Sequence, residues 1–272
     1  MIRPFFVLLF VLISWYAAAQ PITKEIELAD FEEIRLSSIV ELFLTQSDKD
    51  QLRIVYEGFQ AEEIVSEVKK GVLQLGTRSK RKHFGKKHYV RAYVSFTTLN
   101  KITAGGATAV HIEAPITIKN LTLDLGGATT LKANASIEAQ TLELNLSGAS
   151  DMKVADLMTA QQLTLNLSGG SSLKSPLNVQ TIKGKCSGAS NAKFSGKAED
   201  QTLTLSGSSN YKAQELTSQT ASLNISGASN ASVFVQQQLT ADASGASDLK
   251  YWGKPQNTDL SSSGASKIQA RE

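Results

Sequence analysis

The 272-residue sequence predicts an all-β chain wound as a parallel β-helix, a solenoid with coils of about 18–21 residues. Three observations carry this: a recurring glycine corner, strand-like alternation before each corner, and a hydroxyl residue after it. The glycines are Gly106, Gly127, Gly148, Gly169, Gly188, Gly207, Gly227, Gly245 and Gly264, spaced by 21, 21, 21, 19, 19, 20, 18 and 19 residues. Each sits in a tetrad of small residues, plainest at Ser147-Gly148-Ala149-Ser150. A period near twenty denotes a repeat architecture, in which each unit buries its apolar face only against its neighbours.

The strand before each corner is read from its alternation. Two residues before the glycines stand Ala104, Leu125, Leu146, Leu167, Cys186, Leu205, Ile225, Ala243 and Ser262; four before stand Ile102, Leu123, Leu144, Leu165, Gly184, Leu203, Leu223, Ala241 and Leu260. The residues between them are polar, as in Asp124, Asn145 and Asn166, so one face is buried. A second short alternating run, such as Leu131-Lys132-Ala133 or Met152-Lys153-Val154, fills the rest of each repeat and leaves no room for a helix. A leucine-rich repeat therefore fits poorly. Glycine permits the corner, and small neighbours let successive corners stack.

Two positions after the glycine come Thr108, Thr129, Ser150, Ser171, Ser190, Ser209, Ser229, Ser247 and Ser266, a hydroxyl in every copy. The structural reading is a column in which each hydroxyl bonds turn backbone or the next coil. The functional reading is a flat hydroxyl-bearing surface for a ligand or glycan. The following position, with Asp151, Asn191, Asn210, Asn230 and Asp248, also reads as turn chemistry.

Residues 1–19 carry Arg3, an apolar run from Phe5 to Tyr16 and then Ala17-Ala18-Ala19, the pattern of a cleaved secretory signal peptide. The run is too short for a confident membrane span, and no transmembrane span is expected in the mature chain. Residues 20–98 form an N-terminal β segment supplying the first coils and a basic hairpin loop, and residues 99–272 form the repeats. In the N-terminal segment Phe31 to Gln46 alternates on both sides of Ser37-Ser38, as a degenerate coil would.

The single cysteine, Cys186, occupies a core position, so no intrachain disulfide is possible and a reactive thiol is not indicated. The formal net charge of +3 is too small to imply nucleic acid, which is not expected as a partner of an exported chain. Its distribution is more telling. From Val68 through Ile112 there is no acidic residue, while Lys80, Arg81, Lys82, Lys86 and Lys87 crowd one segment. That segment is either a solvated loop or a contact for an anionic partner. His83, His88 and His111 match no metal spacing, the corners lack the regular Asp of calcium-binding rolls, and no cofactor is expected. Outward carboxylates on adjacent coils, Asp124 with Glu143 and Asp242 with Asp259, lack the third carboxylate expected of a sugar-cleaving site.

The blocks Phe31-Glu32-Glu33-Ile34, Val40 to Gln46, and Ile64 to Gly71 followed by Val72 to Gly76, together with the Ser-Gly-Ala-Ser corners, resemble the putative auto-transporter adhesin head GIN domain family over residues 30 to 250. The resemblance implies a single-stranded right-handed β-helix in the cell envelope, with no catalytic or ligand-binding residues to carry over. The chain departs from the family pattern at Ser37-Ser38, where Ser-Gly is more usual. The expected function is a noncatalytic, adhesin-like protein of the periplasm, outer surface or medium. It would contact an anionic envelope glycan, another surface polymer or a second copy of itself. The alternative is a polysaccharide lyase or hydrolase built on the same fold.

Overall fold

The computed structural model describes residues 21–78 and 88–272. The expected signal peptide at 1–19 and the cluster Lys80, Arg81, Lys82, Lys86 and Lys87 lie outside the described residues. In chain order the strands are β1 (Ile22–Glu27), β2 (Glu33–Leu36), β3 (Val40–Gln46), β4 (Gln51–Glu57), β5 (Ile64–Lys69), β6 (Val72–Thr77) and β7 (Tyr89–Phe96). Then follow β8 (Lys101–Ala104), β9 (Ala109–Ile112), β10 (Ile116–Leu125), β11 (Thr130–Ala133), β12 (Ile137–Leu146), β13 (Asp151–Val154) and β14 (Met158–Leu167). The last seven are β15 (Ser172–Cys186), β16 (Asn191–Leu205), β17 (Asn210–Ile225), β18 (Asn230–Ala243), β19 (Asp248–Trp252), β20 (Asn257–Ser262) and β21 (Lys267–Ala270). From β8 onward every pairing is parallel and joins one coil to the next, which makes the chain a β-solenoid.

Each coil turns three times. After the glycine corner comes a short strand such as β13, then a bend at Ala155 to Leu157, then a long strand such as β14. The long strand carries the third turn within it. In β12 the buried residues are Ile137 and Ala139 and then Leu142, Leu144 and Leu146, so Gln140 and Thr141 point outward in succession and alternation restarts on a new face. The inward residues form one continuous core in which Leu123, Leu144 and Leu165 lie in register.

The uneven repeat length has a structural cause. Between Lys153 and Met158 four residues make the bend, whereas between their partners Lys174 and Leu177 only Ser175 and Pro176 intervene. Two residues are lost at one bend, and the interval falls from 21 to 19. A later register shift pairs Lys193 with Lys212 but Ser195 with Glu215, which inserts one residue as a bulge and lengthens the next coil to 20. The glycine corner and the strand before it are untouched by either change.

The corner permits no side chain. Gly148 has φ +69°, and a Cβ there would stand 2.6 Å from the carbonyl oxygen of Gly127 directly beneath it. The same approach, at 2.6–2.9 Å, recurs from Gly106 to Gly264. It comes about because the amide after each glycine donates to the glycine carbonyl one coil below, as Ala149 does to Gly127 at 2.8 Å. Ser38 begins the stack with φ 69°, and its carbonyl accepts from Ala107 at 2.8 Å. Ser38 thus takes the left-handed conformation without being glycine, and its hydroxyl donates to Thr77 O at 3.2 Å.

The N-terminal third departs from simple winding. The storey formed by β2 and β3 is covered on one side by β8 and β9 and on the other by β6 and β7, which come between them in sequence. Beyond that, β4 pairs antiparallel with β7, β1 antiparallel with β4, and β5 antiparallel with β6. Reversal of direction closes this end of the solenoid. The outermost strand, β1, carries Lys24, Glu25 and Glu27 on exposed positions, and charge on an edge strand discourages further pairing. At the other end β20 is exposed along its whole length, with Leu260 at 37%.

Replacing Gly148 by Val should cost about 3–5 kcal/mol, because it combines a disfavoured φ with a backbone clash, whereas Gln140→Ala at the exposed third turn should stay within about 0.5 kcal/mol. Chemical denaturation of the two variants checks this; equal midpoints would contradict the corner geometry.

Candidate functional surface

The solenoid arranges its polar residues in files, one per repeat position, running along the axis. The Ser/Thr file two residues after the glycine turns inward: all members from Thr108 to Ser247 are buried, and only Ser266 of the last coil is partly open. Thr129 donates to Gly126 O at 2.6 Å, Ser247 to Ser244 O at 2.9 Å, and the Thr108 and Thr129 hydroxyls lie 3.0 Å apart. Most of the hydroxyls thus serve the turn and the neighbouring coil, while Ser171 Oγ and Ser190 Oγ are buried without a hydrogen-bond partner among the described residues. A flat hydroxyl-bearing outer surface does not exist.

The files on either side face outward. On one side Asn145 donates to Asp124 at 2.7 Å and Asn166 donates to Asn145 at 2.8 Å; on the other Asn210 donates to Asn191 at 3.0 Å and Asn230 to Asn210 at 3.1 Å. An amide can donate upward and accept from below, so such a file satisfies itself. Of the carboxylates noted in the sequence, Asp124 and Asp242 belong to the file of Asn145, whereas Glu143 and Asp259 stand two residues earlier on their strands, in the adjacent file. Asp124 lies 2.6 Å from Lys101, whose ammonium is held above its ordinary pKa by the hydrogen bond to that carboxylate. Asn145 also donates to Glu143 at 3.0 Å, so a neutral amide joins the two acids. Asp242 and Asp259 line one shallow groove of about 370 Å³.

His83 lies outside the described residues, and the two described histidines, His88 and His111, are not brought together. His88 packs edge-on against Phe59, whereas His111 stacks on Phe43 at 4.7 Å and stands 3.2 Å from Glu41, which also binds Arg91 at 2.8 Å. Among the described residues no group of three His, Cys, Asp or Glu side chains could hold a metal ion. Of the basic segment, only the flanks are described. β6 and β7 lie beneath β2 and β3, so the strands that bracket the segment continue the two arms of the Ser38 corner.

Five residues after the glycines runs a file of lysines. Lys132, Lys153, Lys174, Lys193 and Lys212 are paired in unbroken succession, followed by Ser232 and Lys250. Toward the N-terminal end the same file continues through His111 and Phe43 to Tyr93, with the Arg53 guanidinium 4.1 Å over the Tyr93 ring. None of these lysines is among the anionic-partner candidates named above, although lysine at this position in six of the nine repeats is legible in the sequence. Lys153, Lys174 and Lys193 edge a shallow groove of about 330 Å³ whose lining includes Ala155, Pro176 and Glu215.

The model of the family described as "Putative auto-transporter adhesin, head GIN domain" matches residues 30–156 and again 140–255. The chain belongs to the head GIN family. No curated protein matches it significantly. Among solved structures it is similar to a putative adhesin from Bacteroides fragilis, at 21% identity over 93% of this chain and 98% of that one, with a TM-score of 0.52. It is also similar to a putative lipid binding protein from Parabacteroides distasonis (18% identity, 93% and 97% covered, TM-score 0.65) and to a putative adhesin from the same species (18%, 92% and 98%, 0.64). These likenesses establish the fold. A family named for adhesins points to an exported or surface protein, and no helix among the described residues is long and apolar enough to cross a membrane.

The one thiol of this head GIN protein lies in its core. Cys186 is 1% exposed in the column otherwise filled by Leu125, Leu146, Leu167 and Leu205, and burial pushes its pKa up to about 12. Nearby, Tyr211 is fully buried and donates to Gln201 Oε1 at 2.5 Å, a polar pair set into an apolar column. Burial raises the phenol's pKa as well. Since the raised folded-state pKa of Cys186 favours the neutral thiol, its contribution to stability is complete below the unfolded-state value near 9 and is lost as pH rises toward 12. At pH 8 the native protein should therefore resist thiol reagents over hours and react with one equivalent only in denaturant, as read by mass spectrometry.

Proposed function

We propose that this head GIN protein is a noncatalytic, adhesin-like component of the cell envelope, exported with residues 1–19 as a cleaved signal peptide. Its rigid β-faces would contact a glycan, another surface polymer or a second copy of the chain. The observation that carries this reading is the arrangement of outward side chains in files, some of which repeat one chemistry over several consecutive coils of a continuously paired frame. A repetitive partner meets such a surface at many equivalent points, so many weak contacts add by avidity and no deep pocket is needed. The adhesin-named family agrees with this reading.

The basic segment has a place in it. Lys80, Arg81, Lys82, Lys86 and Lys87 belong to a stretch bracketed by two strands that continue the solenoid, and a dense cationic segment there would draw in anionic envelope polymers. The protein acts in the periplasm, at the outer surface or in the medium.

A glycan array probed with the mature protein, combined with protease treatment of intact cells, tests the reading: binding to at least one glycan class without cleavage of it is expected. Release of shortened sugar chains, abolished by Asp124→Ala, would replace the adhesive reading with an enzymatic one. Replacing the five basic residues at 80–87 by Ser should weaken retention on anionic glycans, and wild-type retention should fall with salt; unchanged retention would remove the segment from the contact surface.

A further inference from the structure

We propose that the lysine file from Lys132 to Lys212, with the groove beside it, is a docking track for a linear polyanionic polysaccharide lying along the solenoid axis. This rests on the adhesin-like reading and adds to it a face and a ligand class.

The file is electrostatically unfavourable as it stands. Strand spacing sets successive lysines about 4.8 Å apart, so five of them span about 19 Å. That spacing is shorter than the Debye length of about 8 Å at physiological salt, and like charges at directly paired positions destabilise a sheet. Internal partners are few. Lys193 has Glu215 at 3.7 Å and, farther along, Lys250 has Asp248 at 3.5 Å. Lys132, Lys153, Lys174 and Lys212 are exposed, and no carboxylate among the described residues comes within 4.0 Å of them. The amide files on the neighbouring positions bond to themselves; the lysine file cannot, because an ammonium only donates.

Edge protection does not account for it. Lysine guards sheet edges by discouraging further pairing, but every strand from β11 to β17 is already paired on both sides. A polyanion laid along the file removes the repulsion and releases counterions from both partners. The groove edged by Lys153, Lys174 and Lys193 gives such a chain a seat, since Ala155 and Pro176 leave the space beside the ammonium groups open.

The residues flanking the file select the class. Two positions before the lysines stand Thr130, Asp151, Ser172, Asn191 and Asn210, which offer hydroxyls, amides and a carboxylate suited to sugar hydroxyl groups. Among the described residues no exposed aromatic ring stands beside the five lysines, whereas single-stranded nucleic acid is held by stacking its bases on such rings. Carboxylated and sulfated glycans share the chemistry that the file recognises.

The test measures binding of the full chain to immobilised polygalacturonate, heparin, neutral dextran and oligo-dT at low and physiological salt. Wild type should bind polygalacturonate or heparin, weaken with salt and ignore dextran. Changing Lys132, Lys153, Lys174 and Lys212 together to Gln should weaken binding at least ten-fold. Changing Lys119, Lys183, Lys185 and Lys197 to Gln, which removes equal charge from other positions, should weaken it less than two-fold. Thermal unfolding gives a readout independent of ligand: the file variant should melt no lower than wild type and should lose less repulsion than wild type when salt is added. Equal losses in both quadruple variants, or tighter capture of oligo-dT than of either polyanionic glycan, would overturn the proposal. Loss confined to the variant with Ser at Lys80, Arg81, Lys82, Lys86 and Lys87 would also overturn it while leaving the adhesive reading intact. Absence of any polyanion binding by wild type sinks the track, and the adhesive reading then stands or falls on the glycan array and on attachment to cells.

Discussion

Everything in this molecule depends on one constraint: each coil must pass its corner with the backbone in a left-handed turn, directly above the corner below. The carbonyl of one glycine receives the amide that follows the next, and this contact brings the two backbones too close for a Cβ between them. Once the corners coincide, parallel pairing carries the same register along both arms of the coil. The core then follows as a consequence, because equivalent inward positions from successive coils can only meet one another. Length variation is confined to the bends that lie away from the corner, where exchanging the four residues Val154 to Leu157 for Ser175-Pro176 changes the period without disturbing a single corner contact.

Strict register has a second consequence, which concerns chemistry. A repeat position is never a single residue but a file, and a file is satisfied or frustrated as a whole. Asparagine tolerates stacking on itself because it both donates and accepts, and most of the buried hydroxyls tolerate it because they turn to a carbonyl of their own corner or of the coil below. Lysine has neither recourse. Aromatic side chains stack by their faces, which is why Tyr93, Phe43 and His111 continue the same file at the N-terminal end with rings 4.7–4.8 Å apart.

How much of this was legible in the sequence depends on whether the signal is local. The glycine corners, the inward leucines and the family resemblance were readable because each repeats its own evidence, and Cys186 could be placed in the core because it stands where its counterparts are Leu or Ile. The order of the N-terminal storeys was not readable. The β2–β3 storey lies between strands that follow it and strands that follow those, and this interleaving is decided by long-range pairing that leaves no mark on alternation. The lysine file was readable in principle. An acid-free run draws attention to charge along the chain, whereas this charge accumulates across it, one residue per coil.

The separation between frame and surface leaves outward chemistry free to vary on a fixed fold. Inward positions and corners are bound by packing and by the approach of backbones; outward positions are bound only by what lies above and below them in their own file. A change at Lys174 alters a surface charge and leaves the Leu173 core contact and the Gly169 corner as they were, because alternation directs successive side chains to opposite faces. Surface chemistry can thus be rewritten file by file on an unchanged solenoid, which accords with solved structures of the same fold at only 16–21% identity. Beside the asparagine runs that bond to themselves, the lysine file carries charge that its own members cannot meet, and that is where an external partner has most to contribute.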